Sequence, residues 1–141
     1  MDTPARQPRS RVLVVDDEPL LASATRRLLA RVHEVEVVYC GLAALDRVRR
    51  EFFDAIVCDV MMPRMGGIEL HARLLQLAPA QADRMIFLTG GVFDEAAERF
   101  LQAHHCWCMD KPFDPGALLT LVARRIAHAD PDTLALGTGM V

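Results

Sequence analysis

The 141-residue sequence has no long hydrophobic run, no excess of positive charge and no cysteine framework, and each absence closes a class of function. No stretch approaches the ~20 apolar residues that cross a bilayer. The start, Met1 to Arg11, is polar, holds Pro4 and Pro8, and lacks an apolar signal region. The expectation is a cytoplasmic chain with no membrane insertion. Basic residues number 16 against 19 acidic ones, a net charge of −3, so binding of nucleic acid by bulk charge is not expected. Neither G-x-G-x-x-G nor G-x4-G-K-[ST] occurs, which removes the common glycine-rich phosphate cradles. Cys40 and Cys58 lie in or beside apolar runs, where a free cysteine is a small buried hydrophobe. The string His104-His105-Cys106-Trp107-Cys108 crowds its soft ligands into one short segment, whereas structural zinc sites draw ligand pairs from separate segments.

What is present is the apolar content of one ordinary domain, 52% hydrophobic and 25% charged. Short apolar runs alternate with longer segments of helical period. Val12 to Val15 is a strand candidate ending on Asp16-Asp17, and Leu21, Ala24 and Leu28 then repeat at helical spacing behind Pro19. Glu34 to Val38 and a helix through Leu42, Leu45 and Val48 follow. Ala55 to Cys58 ends on Asp59, and a turn-rich stretch, Met62 to Gly67, leads into a helix with Leu70, Leu74 and Leu77, stopped by Pro79. Met85 to Leu88 ends on Thr89-Gly90-Gly91. Asp94 suits a helix N-cap before Ala97, Phe100 and Leu101. A fifth strand is expected over Cys106 to Met109, ending on Asp110-Lys111-Pro112, and a last helix runs from about Asp114 to His128. Repeated strand-then-helix units with strands apolar on both faces imply a parallel sheet between two helical layers.

In such sheets, ligands bind beyond the carboxyl ends of the strands. Asp16, Asp17, Asp59, Thr89 and Lys111 all stand just there, delivered by four different strands. Three carboxylates close together repel unless a cation joins them, and Mg²⁺ suits such a set of hard oxygen donors. Metal, ammonium and hydroxyl together neutralise a phosphoryl group during in-line transfer, which leaves a carboxylate free to act as nucleophile. Asp59, alone at its strand end, is the better candidate, and Asp16-Asp17 the better metal pair. Taken singly, each residue is as readily a helix cap, a turn former or a solvated loop lysine; their joint placement carries the reading.

The segments Val12 to Glu18, Asp54 to Gly67, Leu88-Thr89-Gly90 and Asp110 to Phe113, in this order, resemble the receiver domain of two-component response regulators. The resemblance covers about Arg11 to His128. It implies a flavodoxin-like (βα)5 three-layer sandwich with a parallel five-stranded sheet of order 2-1-3-4-5. It also implies a phosphorelay role in which Asp59 takes a phosphoryl group from a phosphohistidine. Asp17, Asp59 and the backbone carbonyl of Met61 would hold Mg²⁺ directly and Asp16 through water. Thr89, Gly90 and Lys111 would meet the phosphoryl oxygens, and the Lys111-Pro112 bond would be cis. The implied partner is a histidine kinase or a histidine phosphotransfer domain, and a homodimer is compatible with the resemblance. Residues 1–10 are expected to be a flexible segment, 11–128 the receiver and 129–141 a tail or linker stub too short for an effector domain. Leu88 to Phe93 with Asp110 to Asp114 looks more like receivers of hybrid histidine kinases than like those of transcription regulators.

Two departures stand out. The position three before the lysine, an aromatic in the family, is Cys108, which puts the usual threonine–aromatic switch in doubt. Met61 and Gly91 occupy positions where polar side chains can orient the hydrolytic water, so slow loss of the phosphoryl group is expected. The alternative is a Mg²⁺-dependent phosphohydrolase of the haloacid dehalogenase type, but that chemistry wants D-x-D on the first strand and a cap domain.

Overall fold

The computed structural model describes residues 9–91 and 94–128. Five parallel strands, β1 (Arg11–Val15), β2 (Glu34–Val38), β3 (Ala55–Asp59), β4 (Met85–Thr89) and β5 (Cys108–Asp110), form one sheet of order β2-β1-β3-β4-β5. Among the described residues the helices are α1 (Pro19–Leu29), α2 (Gly41–Arg50), α3 (Gly67–Leu77), the short α4 (Pro79–Ala82), α5 (Glu95–Ala103) and α6 (Pro115–Ala127). This is the flavodoxin-like order expected. The expected segments 1–10 and 129–141 lie outside the described residues, apart from Arg9 and Ser10. None of the described helices is long and apolar enough to cross a membrane.

Strand alternation divides the core in two. Leu13, Val15, Ile56, Cys58, Met85 and Phe87 point to the layer of α2, α3 and α5, where Leu45, Leu70 and Leu74 close over them. Val12, Val14, Val57, Ile86 and Leu88 point to α1 and α6, meeting Leu29, Leu118, Leu121 and Val122. Burying each such aliphatic side chain contributes ~1.5–3 kcal/mol. The central strands β1, β3 and β4 are therefore fixed on both faces, and so are the residues at their ends.

The structure departs from the sequence reading at several points, among them Leu42 and Leu77, expected on the apolar faces of α2 and α3 but 58% and 53% exposed. The buried stripe of α1 is Ala22, Thr25 and Leu29, not Leu21, Ala24 and Leu28. The segment expected to begin the fifth strand is a 3-10 turn, His105–Trp107, and β5 starts only at Cys108. Pro79 does end α3, but it also opens α4, whose Gln81 exchanges hydrogen bonds with the backbone of Phe53: Nε2 donates to the Phe53 carbonyl and Oε1 accepts from its N–H, both at 2.8 Å. Cys40 is exposed and caps α2, its Sγ accepting from the Ala43 N–H at 3.4 Å.

One cation is drawn into the interior. Arg125 on α6 is 2% exposed, donates from Nε to the Met85 carbonyl at 3.1 Å, and lies 4.1 Å over the Trp107 ring centroid. It ties α6, β4 and the 3-10 turn together by a hydrogen bond and a desolvated cation–π contact.

Candidate functional site

The strand ends meet at one rim. Asp59, the last residue of β3, is 5% exposed. Its Oδ1 accepts the Met61 N–H at 3.1 Å and its Oδ2 accepts from Lys111 Nζ at 2.7 Å. Asp16 follows β1, is buried, and accepts the Glu18 N–H at 2.9 Å on Oδ1. Asp17 is half-buried beside it. One carboxylate oxygen from each of Asp16, Asp17 and Asp59 lies within 4.8 Å of the others. The sequence reading named this trio, and the fold brings it together.

The loop after Asp59 is held by two glycines. Arg64 turns the chain at φ 68, and the Gly67 N–H donates to the Val60 carbonyl at 3.1 Å. A Cβ on Gly66 would sit 2.2 Å from that same carbonyl oxygen, so only glycine lets the start of α3 pass this closely under the site.

Charge at the rim is unbalanced. The Asp16 carboxyl is held above its ordinary range, first by burial and then by the charges of Asp59 and Asp17, although the Glu18 N–H and Lys111 pull the other way. Burial alone would favour neutral Lys111, but its hydrogen bond to Asp59 and the charges of Asp59 and Asp16 outweigh that and raise its pKa. One ammonium faces three carboxylates. The donors are hard oxygens, which fit a divalent cation such as Mg²⁺.

Thr89 closes β4 and is 5% exposed, yet its hydroxyl does not reach Asp59: it donates to Asp110 Oδ1 at 2.6 Å. Asp110 carries no signal of its own in the sequence beyond preceding Lys111, but the register Thr89↔Asp110 makes it the cross-strand neighbour of Thr89. Gly90 lies beside the Lys111 stem, with Lys111 Cβ in ordinary contact range, 3.5 Å from where a side chain would begin. The Lys111-Pro112 bond is cis.

Met61 is 55% exposed, its side chain projecting from the rim. Cys108 sits on the α5 side of the sheet, its thiol donating to the His104 carbonyl at 3.2 Å. Burial, and secondarily the charge of Asp110, push that thiol up to about 11. Trp107 faces the opposite layer with α6.

Beside the rim runs an apolar groove of about 510 Å³ between α1 and the start of α6. Leu21 and Ala24, exposed on α1, and the half-buried Leu28 line it with Pro112 and Phe113, and Asp16 and Lys111 are also among its walls.

Comparison with known proteins agrees with this geometry. The response regulator receiver domain family matches residues 12–123. Response regulator MprA of Mycobacterium leprae is 32% identical over 133 residues, 92% of this chain and 57% of that protein, so the chain spans little more than half the length of that relative. Among solved structures, the CheY-like response regulator receiver domain protein from Methanospirillum hungatei JF-1 aligns with a TM-score of 0.74 at 28% identity, over 84% of this chain and 94% of that one. The BeF3-activated DrrB receiver domain aligns with a TM-score of 0.71 at 27% identity, over 85% and 99%. Nothing in these matches supports a phosphohydrolase of the haloacid dehalogenase type. The family match runs from β1 into α6 and takes in every strand end that forms the rim, and on that ground the chain belongs to the response regulator receiver domain family of two-component signalling.

Proposed function

We propose that residues 11–128 take a phosphoryl group from a phosphohistidine onto Asp59, and that Lys111 and the carboxylate trio catalyse the transfer. The observation that carries this reading is the 2.7 Å contact of Lys111 Nζ with Asp59 Oδ2 inside a cluster of three carboxylates. An Asp59 oxygen attacks phosphorus in line; the O–P bond forms as the P–N bond breaks, and its electron pair returns to the imidazole nitrogen. Lys111 leaves the Asp59 oxygen for a phosphoryl oxygen and carries its positive charge with it. The Thr89 hydroxyl and the Gly90 backbone serve the remaining oxygens. Asp17, Asp59 and the Met61 carbonyl would hold Mg²⁺, with Asp16 acting through water; bound there, the ion neutralises charge on the transferring group.

The donor is a histidine kinase or a histidine phosphotransfer domain. The groove beside the rim supports this, because an apolar helix seated on Leu21, Ala24 and Leu28 would present a histidine toward Asp16 and Lys111. Output through a swinging aromatic has no support in this chain. Cys108 is small and bound to the end of α5, and Trp107 is pinned under Arg125.

The test is labelling by a small phosphodonor in Mg²⁺, wild type against Asp59→Asn. Labelling is expected in the wild type alone, and equal labelling of both would overturn the assignment.

A further inference from the structure

The Thr89 hydroxyl has one proton to give. Here it goes to Asp110 Oδ1 at 2.6 Å, within the short range of charge-assisted O–H···O⁻ bonds. Thr89 is 5% exposed, so water does not compete freely for that proton. The neighbouring residue repeats the pattern: Lys111 Nζ is bound to Asp59 Oδ2, and the Lys111 N–H is bound to the Thr89 carbonyl at 2.7 Å. Both side chains that a phosphoryl group on Asp59 would call upon are therefore already engaged, the Thr89 hydroxyl by Asp110 and the Lys111 ammonium by Asp59 itself.

We propose that Asp110 is a positioning residue that keeps the Thr89 hydroxyl when Asp59 is unmodified and must give it up when Asp59 carries a phosphoryl group. The inference rests on the reading of Asp59 as phosphoacceptor. Donation to a phosphoryl oxygen and to Asp110 exclude each other, since both require the same proton. The contest is unequal in its aftermath. Asp110 is exposed, so its released carboxylate is rehydrated at once, whereas Thr89 in its buried position has only the phosphoryl group to turn to. Asp110 thus sets how far the unmodified state is favoured without touching the phosphoryl group itself.

The experiment is titration of the full chain with beryllofluoride in Mg²⁺, followed by ¹⁹F NMR, in a double-mutant cycle of Asp110→Ala and Thr89→Ala. Asp110→Ala is expected to bind about fivefold more tightly than wild type, the equivalent of ~1 kcal/mol. Asp110→Asn, which keeps an acceptor but loses the charge, should fall between the two and guards against a folding artefact of the alanine variant. In the Thr89→Ala background the Asp110 substitution should change nothing, because the contested proton is gone. An Asp110 effect of the same size with and without the hydroxyl, or no gain in affinity, overturns the inference while leaving Asp59 as phosphoacceptor. Equal binding by wild type and Asp59→Asn would instead overturn the underlying reading and the inference with it.

Discussion

Replacing Asp16 by asparagine should stabilise the metal-free protein and abolish most of its response to Mg²⁺. One carboxylate oxygen each from Asp16, Asp17 and Asp59 lies within 4.8 Å of the others. Two unit charges at that separation repel by ~3.5 kcal/mol at an effective dielectric of ~20 and by ~0.9 kcal/mol in bulk water. The half-buried Asp17 belongs near the lower figure and the buried Asp59 nearer the upper. Attraction to Lys111 returns part of this, and an asparagine Oδ1 can still accept the Glu18 N–H. The net gain from Asp16→Asn is about 1–2 kcal/mol, a rise of ~3–10 °C in Tm for a domain of this size. The pH dependence has a definite sign. The folded protein holds the Asp16 proton more tightly than the unfolded chain does, so metal-free stability falls as pH rises from the ordinary value of 3.8 through the raised one. The advantage of the variant therefore vanishes below that window and is complete above it. Mg²⁺ reverses the order once it is well above its dissociation constant: at about a hundred times that value it adds ~2.7 kcal/mol to a protein that binds it. Thermal melts in EDTA and in graded Mg²⁺ decide the matter, with the two Tm curves expected to cross. A variant that melts below wild type in EDTA, or that gains as much from Mg²⁺, would refute the reasoning.

Three further outcomes follow from other parts of the structure. Gly66→Ala must displace the Val60 carbonyl by about 1 Å from its 2.2 Å clash, costing ~1–3 kcal/mol, and a shift of that size beside Asp59 should slow phosphodonor labelling ~100-fold; labelling within twofold of wild type would contradict it. At pH 8 the exposed Cys40 and Cys106 should react with a disulfide reagent in a fast phase, leaving buried Cys58 and half-buried Cys108 behind. With its pKa at about 11, Cys108 has ~100-fold less thiolate than an ordinary cysteine, and a third thiol in the fast phase would tell against this. Met61, 55% exposed, and Gly91, at φ 112, place no polar side chain near Asp59 to orient water, so the phosphoryl group should be lost slowly and Met61→Asn should hasten the loss; a wild type that decays as fast as the variant speaks against it.

The sheet and its rim were legible because their signals are local and redundant. Val12 to Val15 and Ala55 to Cys58 are apolar without interruption, as strands covered on both faces must be, and each ends on an aspartate. The face of α1 was not legible. Leu21, Ala24 and Leu28 and the buried Ala22, Thr25 and Leu29 are both mostly apolar stripes at helical spacing, and only the position of α6 and the Lys111-Pro112 loop decides which enters the core. The segment Cys106 to Met109 misled for a similar reason. Its composition suits a strand, but the chain first needs a 3-10 turn to bring Trp107 under Arg125, and a cation buried at the end of an apolar helix has no signature in periodicity. Asp110 escaped notice because its importance lies in register: nothing in the linear sequence sets it opposite Thr89.

The sheet order leaves β2 and β5 as its two margins, and neither is an inviting template for another chain. β2 carries Glu34 and Glu36, the latter in ion pairs with Arg11 and Arg47, so an incoming strand would meet fixed charge. β5 offers three residues before the chain turns away at Pro112, too few to nucleate a ladder. Unpaired backbone is thereby kept from recruiting a sixth strand, whether from a second copy or from a partly unfolded neighbour.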